Sequence, residues 1–420
     1  MPSPASSARL ALIAAALSCS GQATKPPTAA PVRPDDALPA PAATTLKRQV
    51  ILQSRPSGTL VTTVAPDGTI TTTLDILENG RGPHVEATVR LAADGTIASF
   101  EARGHHTMGT EIAERFAREG NRVRWHSAEE QGERDLAGPA FFMPMADVPE
   151  VQGLLVQAAL AAGGSLPLLP GGEAHVARSG EVTVQVGEAS RTLVCYAITG
   201  LDLVPSHVWM NPDGSWFGSV SAAGSIVPEG WEAAIEPLVA RQRELDRLAD
   251  AQLAATQAHT PPAAGLAYTH ARVLDVERGK WLVDQTVVVV GATIASVGPS
   301  KRARIPAGAE VIDLAGRALL PGLFDMHAHL GPADGVLDIA SGITTARDVG
   351  NDPDELDEYK RRFDEGTAVG PHVIRFGFIE GRNEKAASSV ITAETVDEAR
   401  GAVGVQPYLG SAAAPAVGSD

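Results

Sequence analysis

The chain contains 420 residues, of which 44% are hydrophobic and 20% are charged, so it is long enough and apolar enough for two or three globular domains. Its formal net charge is −16 and it contains no basic run, which argues against nucleic acid or an anionic membrane surface as a partner. The length therefore predicts a multi-domain protein, and the order of strands and helices described below predicts that it combines α+β and α/β parts.

Residues 1–21 have the pattern of an export signal. Arg9 precedes an apolar run, Leu10–Leu17, which is too short to span a bilayer but has the length of the apolar core of a signal peptide. The following Ser18-Cys19 resembles the end of a bacterial lipoprotein signal, which implies lipidation of Cys19. An ordinary secretory signal, cleaved near Ala23, is the alternative.

Either signal predicts export to the cell envelope or periplasm, and the lipoprotein signal adds a lipid anchor as the membrane contact. Residues 22–45 are rich in proline, alanine and threonine and cannot bury a core, so we expect an extended tether. The second of the two cysteines, Cys195, has no intramolecular partner in the mature chain, and no disulfide is expected.

Residues 46–228 predict a β-rich domain of unknown role. Asp67-Gly68, Asp94-Gly95 and Asp213-Gly214 each lie between runs rich in β-branched residues, which is a strong hairpin signal. One helix is expected among the strands, with Asp147 as its cap and Pro149 near its first position. The domain could bind a substrate, contact a partner or act as a spacer.

The histidines of this domain are interpreted as structural or surface residues. His105 and His106 are consecutive, and neighbouring strand residues face opposite ways, so the two cannot share a metal without a bulge. We apply the same interpretation to His207. The sequence therefore assigns no chemistry to residues 46–228.

Residues 229–264 predict a helix and a linker, and residues 265–320 alternate short strands with turns. The helix is expected from Glu229 to about Gln257. One side of it is predicted to carry Leu238, Leu245, Leu248 and Leu253.

Residues 319–329 read LLPGLFDMHAH and carry the most informative pattern in the chain. An apolar run ends in a Pro-Gly turn, and Asp325, His327 and His329 then occupy alternate positions. In an extended segment these three side chains share one face. Two adjacent imidazoles can bind one Zn²⁺ or another divalent ion. Two ordinary polar histidines on a half-exposed strand are the alternative.

This motif is similar to the first metal-ligand motif of the amidohydrolase superfamily, the metal-dependent hydrolases built on a (β/α)8 TIM barrel. Residues 341–350, SGITTARDVG, resemble the second barrel strand of imidazolonepropionase-like and prolidase-like members. The resemblance implies a divalent metal, expected to be zinc, at His327 and His329. It implies that Asp325 orients the histidines and that Asp348 lines the pocket. It also identifies residues 265–320 as the β-sandwich segment that precedes the barrel.

Residues 321–420 predict an incomplete TIM barrel. Strands are expected at Ala318–Asp325, Thr344–Asp348 and His372–Ile379, each followed by a helix, and an irregular tail is expected after Val403. A complete barrel needs eight such units and about 250 residues. The resemblance also implies a bridging lysine or glutamate, two further histidines and an aspartate on later strands.

No residue after His329 replaces those ligands convincingly. Lys360 falls in the middle of a charged helix, Lys385 in a polar loop, and His372 at the start of its strand, away from the active-site face. No catalytic residue is identified, and we predict a chain truncated after the third barrel strand.

Two functions are consistent with these patterns. The first is a metal-dependent hydrolase of C–N bonds in small amides, cyclic amides or dipeptides, or an N-terminal fragment of one. The substrate class and the role of the metal, which lowers the pKa of bound water and polarises a carbonyl, are implied by the resemblance. The second is a non-catalytic envelope lipoprotein whose β-rich domain does the binding.

Overall fold

Strands dominate the first half of the chain. The computed structural model describes residues 42–52, 54–78, 80–221, 224–381 and 391–410, with side chains up to residue 403. The predicted signal, most of the predicted tether, Cys19, Lys385 and residues 411–420 lie outside the described residues. The first eight strands are β1 (Thr44–Leu52), β2 (Arg55–Val64), β3 (Ile70–Ile76), β4 (His84–Leu91), β5 (Ile97–His105), β6 (Glu111–Glu119), β7 (Arg122–His126) and β8 (Gln131–Asp135).

Seven further strands complete one long sheet. They are β9 (Phe141–Phe142), β10 (Ser165–Leu169), β11 (Glu173–Val186), β12 (Ala189–Thr199), β13 (Ser206–Met210), β14 (Trp216–Val220) and β15 (Gly224–Pro228). The strand order is β8 to β1 and then β15 to β9, so the two ends of the domain meet where β1 pairs with β15. Neighbouring strands are antiparallel, except that β9 and β10 are parallel.

The three predicted hairpins are confirmed. They connect β2 to β3, β4 to β5 and β13 to β14. In each turn the aspartate accepts a hydrogen bond from the backbone N–H two residues later, over 2.9–3.0 Å. The following glycine has a positive φ of 78–81°, which other residues rarely adopt. Local turn chemistry therefore fixes these connections.

The predicted helix in the domain is confirmed, but its predicted cap is wrong. Helix α1 (Glu150–Ala161) begins after Pro149, and no side chain caps it. Asp147 instead lies 3.7 Å from the Nδ1 atom of His106. The buried stripe of α1 packs on one face of the sheet, and its members are Val151, Leu155, Val156, Ala158 and Ala159.

A second helix, α2 (Ile235–Gln257), covers β11 to β14 and contributes to a second core. Leu238 and Leu245, from the predicted leucine side of the helix, are buried there beside Trp209 and Phe217. The other two leucines of the predicted side are not buried, since Leu248 is 67% exposed and Leu253 is 37% exposed. In the second half of α2, charged side chains form ion pairs with α4, and Ala254 is buried.

Residues 266–319 form a small separate sheet. Its strands are β16 (Leu266–Asp275), β17 (Lys280–Val290), β18 (Thr293–Pro299), β19 (Glu310–Asp313) and β20 (Ala318–Leu319). Strands β16 to β18 are antiparallel, whereas β19 and β20 each pair in parallel with β16. Many large apolar side chains of this sheet are exposed, among them Val283 at 71% and Ile294 at 64%.

A three-stranded parallel sheet follows, in the order β21 (Leu323–Ala328), β22 (Ile343–Asp348) and β23 (His372–Arg375). Helices α3 (Asp334–Ser341) and α4 (Pro353–Asp364) connect these strands. The predicted start of α4 is confirmed: Asp352 accepts hydrogen bonds from the backbone N–H groups of residues 354 and 355, and Pro353 takes the first position.

The chain after β23 departs from the prediction. The third strand ends at Arg375, and residues further on form a separate pair, β24 (Ile379–Glu380) and β25 (Ile391–Thr392). Helix α5 (Val396–Gly410) continues past Val403, through residues that were expected to be irregular. Among the described residues, no helix combines the length and the apolar character needed to cross a membrane.

Candidate functional site

His327 and His329 lie side by side at the carboxyl end of β21. Both side chains are exposed, and their ring centroids are 5.2 Å apart with an angle of 69° between the ring planes. The preceding Gly322 is required by the packing, because a Cβ atom there would lie 1.9 Å from the Oγ1 atom of Thr344 on β22. The Pro-Gly turn thus lets β21 approach its neighbour closely, and β21 presents both imidazoles to solvent.

Asp325 stabilises the backbone of this strand. Its Oδ1 atom accepts a hydrogen bond from the backbone N–H of His327 over 2.9 Å. The sequence predicted that Asp325 orients the histidines. In the structure Asp325 contacts the His327 main chain, and this contact positions the strand that carries the two imidazole rings.

Asp348 is fully buried at the end of β22 and joins two loops. Its carboxylate accepts hydrogen bonds from the backbone N–H groups of Leu330 (2.7 Å), Gly350 (3.1 Å) and Asn351 (3.1 Å), and from the Asn351 side chain (2.7 Å). A Cβ atom on Gly350 would lie 3.0 Å from the His329 ring. Asp348 therefore fixes the backbone that surrounds His329, and its oxygens are sealed from solvent instead of lining a pocket.

Helix α3 carries two further carboxylates, and the charge of Asp325 acts on one of them, Asp338. Asp334 accepts a hydrogen bond from the backbone N–H of Gly331 over 2.7 Å. Asp338 is buried, and its Oδ2 atom has no hydrogen-bond partner. Burial raises the pKa of Asp338, and the charges of Asp325 and Asp334 raise it further. Like charges in such proximity favour a nearby cation or proton.

The fit to a metal is partial. Two adjacent imidazoles supply at most half of a tetrahedral zinc shell. The described part of the chain contains no group of three or more histidine, cysteine, aspartate or glutamate side chains that could hold a metal ion. His372 pairs with Thr345 at the start of β23, at the opposite end of the sheet from Asp348, and Lys360 forms an ion pair with Asp364 on α4. Both residues lie where the sequence predicted them, His372 at the start of its strand and Lys360 within a charged helix.

The structure also brings together three side chains that sequence reasoning had not connected. His207 on β13 is 6% exposed and lies between Cys195 on β12 and Asp246 on α2. Its Nδ1 atom is 3.5 Å from the Cys195 Sγ atom, and its Nε2 atom is 2.7 Å from the Asp246 Oδ1 atom. Burial alone would lower the pKa of His207, but its hydrogen bonds to Asp246 and Cys195 outweigh burial and raise that pKa to about 9.

No sequence signal pointed to this cluster, because Asp246 lies on a helix 39 residues after His207. His207 is structural, as interpreted, but it is not a surface residue. His105 is exposed, and its ring centroid is 6.0 Å from that of His84. His105 and His106 thus agree with the interpretation as surface or structural residues.

No family model matches this chain, and no curated protein matches it. The solved structures to which it is similar include a crystal structure presented as a prolidase from Bifidobacterium longum, with 29% identity and a TM-score of 0.32 over 36% of this chain and 40% of that one. They include molinate hydrolase, with 20% identity and a TM-score of 0.26 over 28% and 30% of the two chains.

A Xaa-Pro dipeptidase has 17% identity and a TM-score of 0.28 over 34% of this chain and 45% of that one. These neighbours are amidohydrolase-type proteins. The chain spans less than half the length of each of these three structures, and the low TM-scores show a limited likeness only.

Proposed function

We propose that this chain carries the first metal-binding strand of a metal-dependent hydrolase that acts on C–N bonds. The observation that carries the proposal is the pair of exposed imidazoles of His327 and His329, 5.2 Å apart at the carboxyl end of a parallel strand. Side chains at the carboxyl ends of parallel strands meet at one edge of a sheet, and that edge carries the active site in barrel enzymes. By resemblance to imidazolonepropionases and prolidase-like enzymes, the substrate is a small amide, a cyclic amide or a dipeptide.

The position of Asp348 supports this assignment. Ala328 and Asp348 are register partners at the ends of β21 and β22, so the loop held by Asp348 lies beside His329. A rigid backbone around a ligand improves metal binding because the ring is already oriented. A divalent ion, when bound, would supply an activated water and polarise a carbonyl. The described residues do not complete its coordination shell, so no catalytic step is assigned to them.

Zinc binding tests the proposal. The dialysed full chain is titrated with Zn²⁺ in competition with a chelating dye, together with His327→Ala, His329→Ala and the control His372→Ala. We expect weak binding that EDTA reverses, loss of that binding in the first two variants and unchanged binding in the control. Equal affinity in all four proteins would overturn the proposal.

A panel of dipeptides and cyclic amides tests turnover. We expect no hydrolysis by this chain alone, because two histidines leave at least half of the zinc shell to other groups. Turnover that is lost in His327→Ala would show that a second subunit or another segment completes the site.

Sequencing the gene in all three frames beyond codon 420 checks the expected truncation. Further strand–helix repeats that carry a lysine, two histidines and an aspartate would support it.

We also propose export and a lipid anchor at Cys19, on the pattern of the first 21 residues. Metabolic labelling with a radioactive fatty acid should mark the wild-type protein and leave Cys19→Ala unlabelled. Label on the alanine variant would contradict the anchor, whereas export without label would favour the ordinary secretory signal.

A second candidate function is binding by the β-rich domain. A cleft of about 390 Å³ lies at the start of α1. Its lining combines apolar side chains, among them Leu74 and Ile226, with the charged Glu78, Arg81 and Asp147. Such a cleft fits a small ligand that has both an apolar and a polar part. A fluorescent probe of this kind should bind the wild-type chain, and Ile226→Trp should reduce that binding by filling the cleft. Binding that is unchanged in this variant would count against the cleft as the site.

A further inference from the structure

Helix α2 contacts both the long sheet and helix α4 of the parallel-sheet region. Toward the sheet, Asp246 accepts a hydrogen bond from His207 over 2.7 Å. Toward α4, Asp250 forms an ion pair with Arg362, and Arg247 donates to Glu358 over 2.9 Å. These contacts come from neighbouring turns of one helix, so a shift of α2 changes its contacts with both the long sheet and α4.

We propose that His207 and Asp246 form a proton-dependent clamp that holds α2 on the β-rich sheet and, through that helix, holds α4. The clamp is buried at its centre, since the His207 side chain is 6% exposed and Cys195 beneath it is fully buried. Where α2 meets α4, the Arg362 side chain is only 8% exposed. Separation of α2 from α4 would leave this guanidinium without its carboxylate, which is costly for a buried charge.

The charged and titratable groups around His207 favour the imidazolium. Asp246 on α2 and the Cys195 thiol on β12 are the groups that act on it, and both raise its pKa against the effect of burial. On α4, Tyr359 is under the influence of Asp250 and Asp246. Burial, and after it the charge of Glu355, raise the pKa of this phenol above its usual range, so Tyr359 stays neutral below pH 10.

The direction of the pH effect follows from these values. The pKa of His207 is about 9 in the folded protein, against an ordinary value of 6.5. The clamp is therefore at full strength below about pH 6.5 and weakens as the pH rises toward 9. Neutral His207 can still donate its Nε2–H to Asp246, but the bond is then no longer assisted by a positive charge on the ring.

The thiol of Cys195 reports on the clamp because it is buried beneath it. In the full chain with Cys19→Ser, the rate of reaction with the thiol reagent DTNB is measured from pH 6.5 to 9.5. Each rate is divided by the rate of the urea-unfolded chain at the same pH, which removes the intrinsic thiolate effect. The 2.5-unit difference in pKa predicts that this ratio rises about 100-fold across the range.

Three variants make the test specific. Asp246→Asn should give a high ratio at pH 6.5 with little further rise, and His207→Gln should abolish the pH dependence. Glu244→Gln removes one negative charge from the exposed face of the same helix, where the carboxylate pairs with Arg241, and should behave like the parent chain. A ratio that is constant with pH in the parent chain, or that changes equally in all variants, would overturn the proposal.

Hydrogen exchange tests the connection to α4. At pH 7, backbone amides of both α2 and α4 should exchange faster in Asp246→Asn than in Glu244→Gln. Faster exchange in α2 with unchanged exchange in α4 would show that the clamp holds α2 alone, and would refute the proposed coupling.

Discussion

Replacement of Glu150 by glutamine should remove a large pH dependence from the free energy of unfolding. Glu150 lies in the first turn of α1 and is 5% exposed. Its Oε1 atom accepts hydrogen bonds from Thr62, over 3.3 Å, and from Thr72, whereas its Oε2 atom is buried without a partner. Burial raises the pKa of this carboxyl to about 7, although the Arg48 guanidinium opposes the shift.

The magnitude follows from the difference between the folded and unfolded pKa values. The ordinary pKa is 4.5, so the difference is about 2.5 units. At about 1.36 kcal/mol per unit this corresponds to roughly 3 kcal/mol. Because the folded state holds the proton more tightly, stability is lost as the pH rises from 4.5 to above 7. Glutamine stays neutral over this whole pH range, so the Glu150→Gln variant does not lose this stability.

Urea unfolding at pH 5.5, 7 and 8.5, followed by circular dichroism, measures the effect. The stability of Glu150→Gln relative to wild type should increase by about 2 kcal/mol between pH 5.5 and 8.5. Glu236→Gln, an exposed first-turn residue of α2, should show no such change. A parallel pH dependence of wild type and Glu150→Gln would refute the argument, since it would mean that Glu150 is ionised as easily in the folded protein as in the unfolded chain.

Three further substitutions test single contacts. Asp348→Asn replaces a buried acceptor oxygen by a donor facing backbone N–H groups, and it should cost about 2–4 kcal/mol in urea unfolding and weaken zinc binding. Gly153→Ala places a Cβ atom 2.6 Å from the Trp216 Cβ atom and should cost about 1–3 kcal/mol in thermal unfolding, whereas Gly138→Ala, in open space, should be neutral. Asp352→Ala removes the cap of α4 and should cost about 1 kcal/mol, and a loss below 0.3 kcal/mol would show that the end of this helix is held by other contacts.

The sequence by itself determined the features that depend on near neighbours. The Asp-Gly hairpins, the start of α4 and the placement of His327 and His329 on one strand each involve residues at most four positions apart. Turn, cap and strand-face chemistry act over this range, so the pattern of residue types is sufficient to predict them. The cap predicted at Asp147 failed although it was local, because Asp147 lies near His106 and the helix begins later.

Only the tertiary structure decided which distant residues meet. The pairing of β1 with β15 joins Arg48 to Pro228, and the cluster of Cys195, His207 and Asp246 draws on two strands and a helix. Contacts of this kind depend on strand order and on the direction in which a helix crosses a sheet, neither of which leaves a periodic mark in the sequence.

The dependence of burial on tertiary packing also explains why Asp348 is buried and Leu248 is exposed. Each residue belongs to a pattern in the sequence. Asp348 is a polar residue at the end of a strand, and Leu248 is a leucine at helical spacing from other leucines. Asp348 is buried because two loops fold over it and supply four hydrogen-bond donors. Leu248 is exposed because α2 leaves its core after Leu245 and continues along α4 through charged pairs. A pattern identifies a side chain that can be buried, and the packing of neighbouring elements decides whether it is.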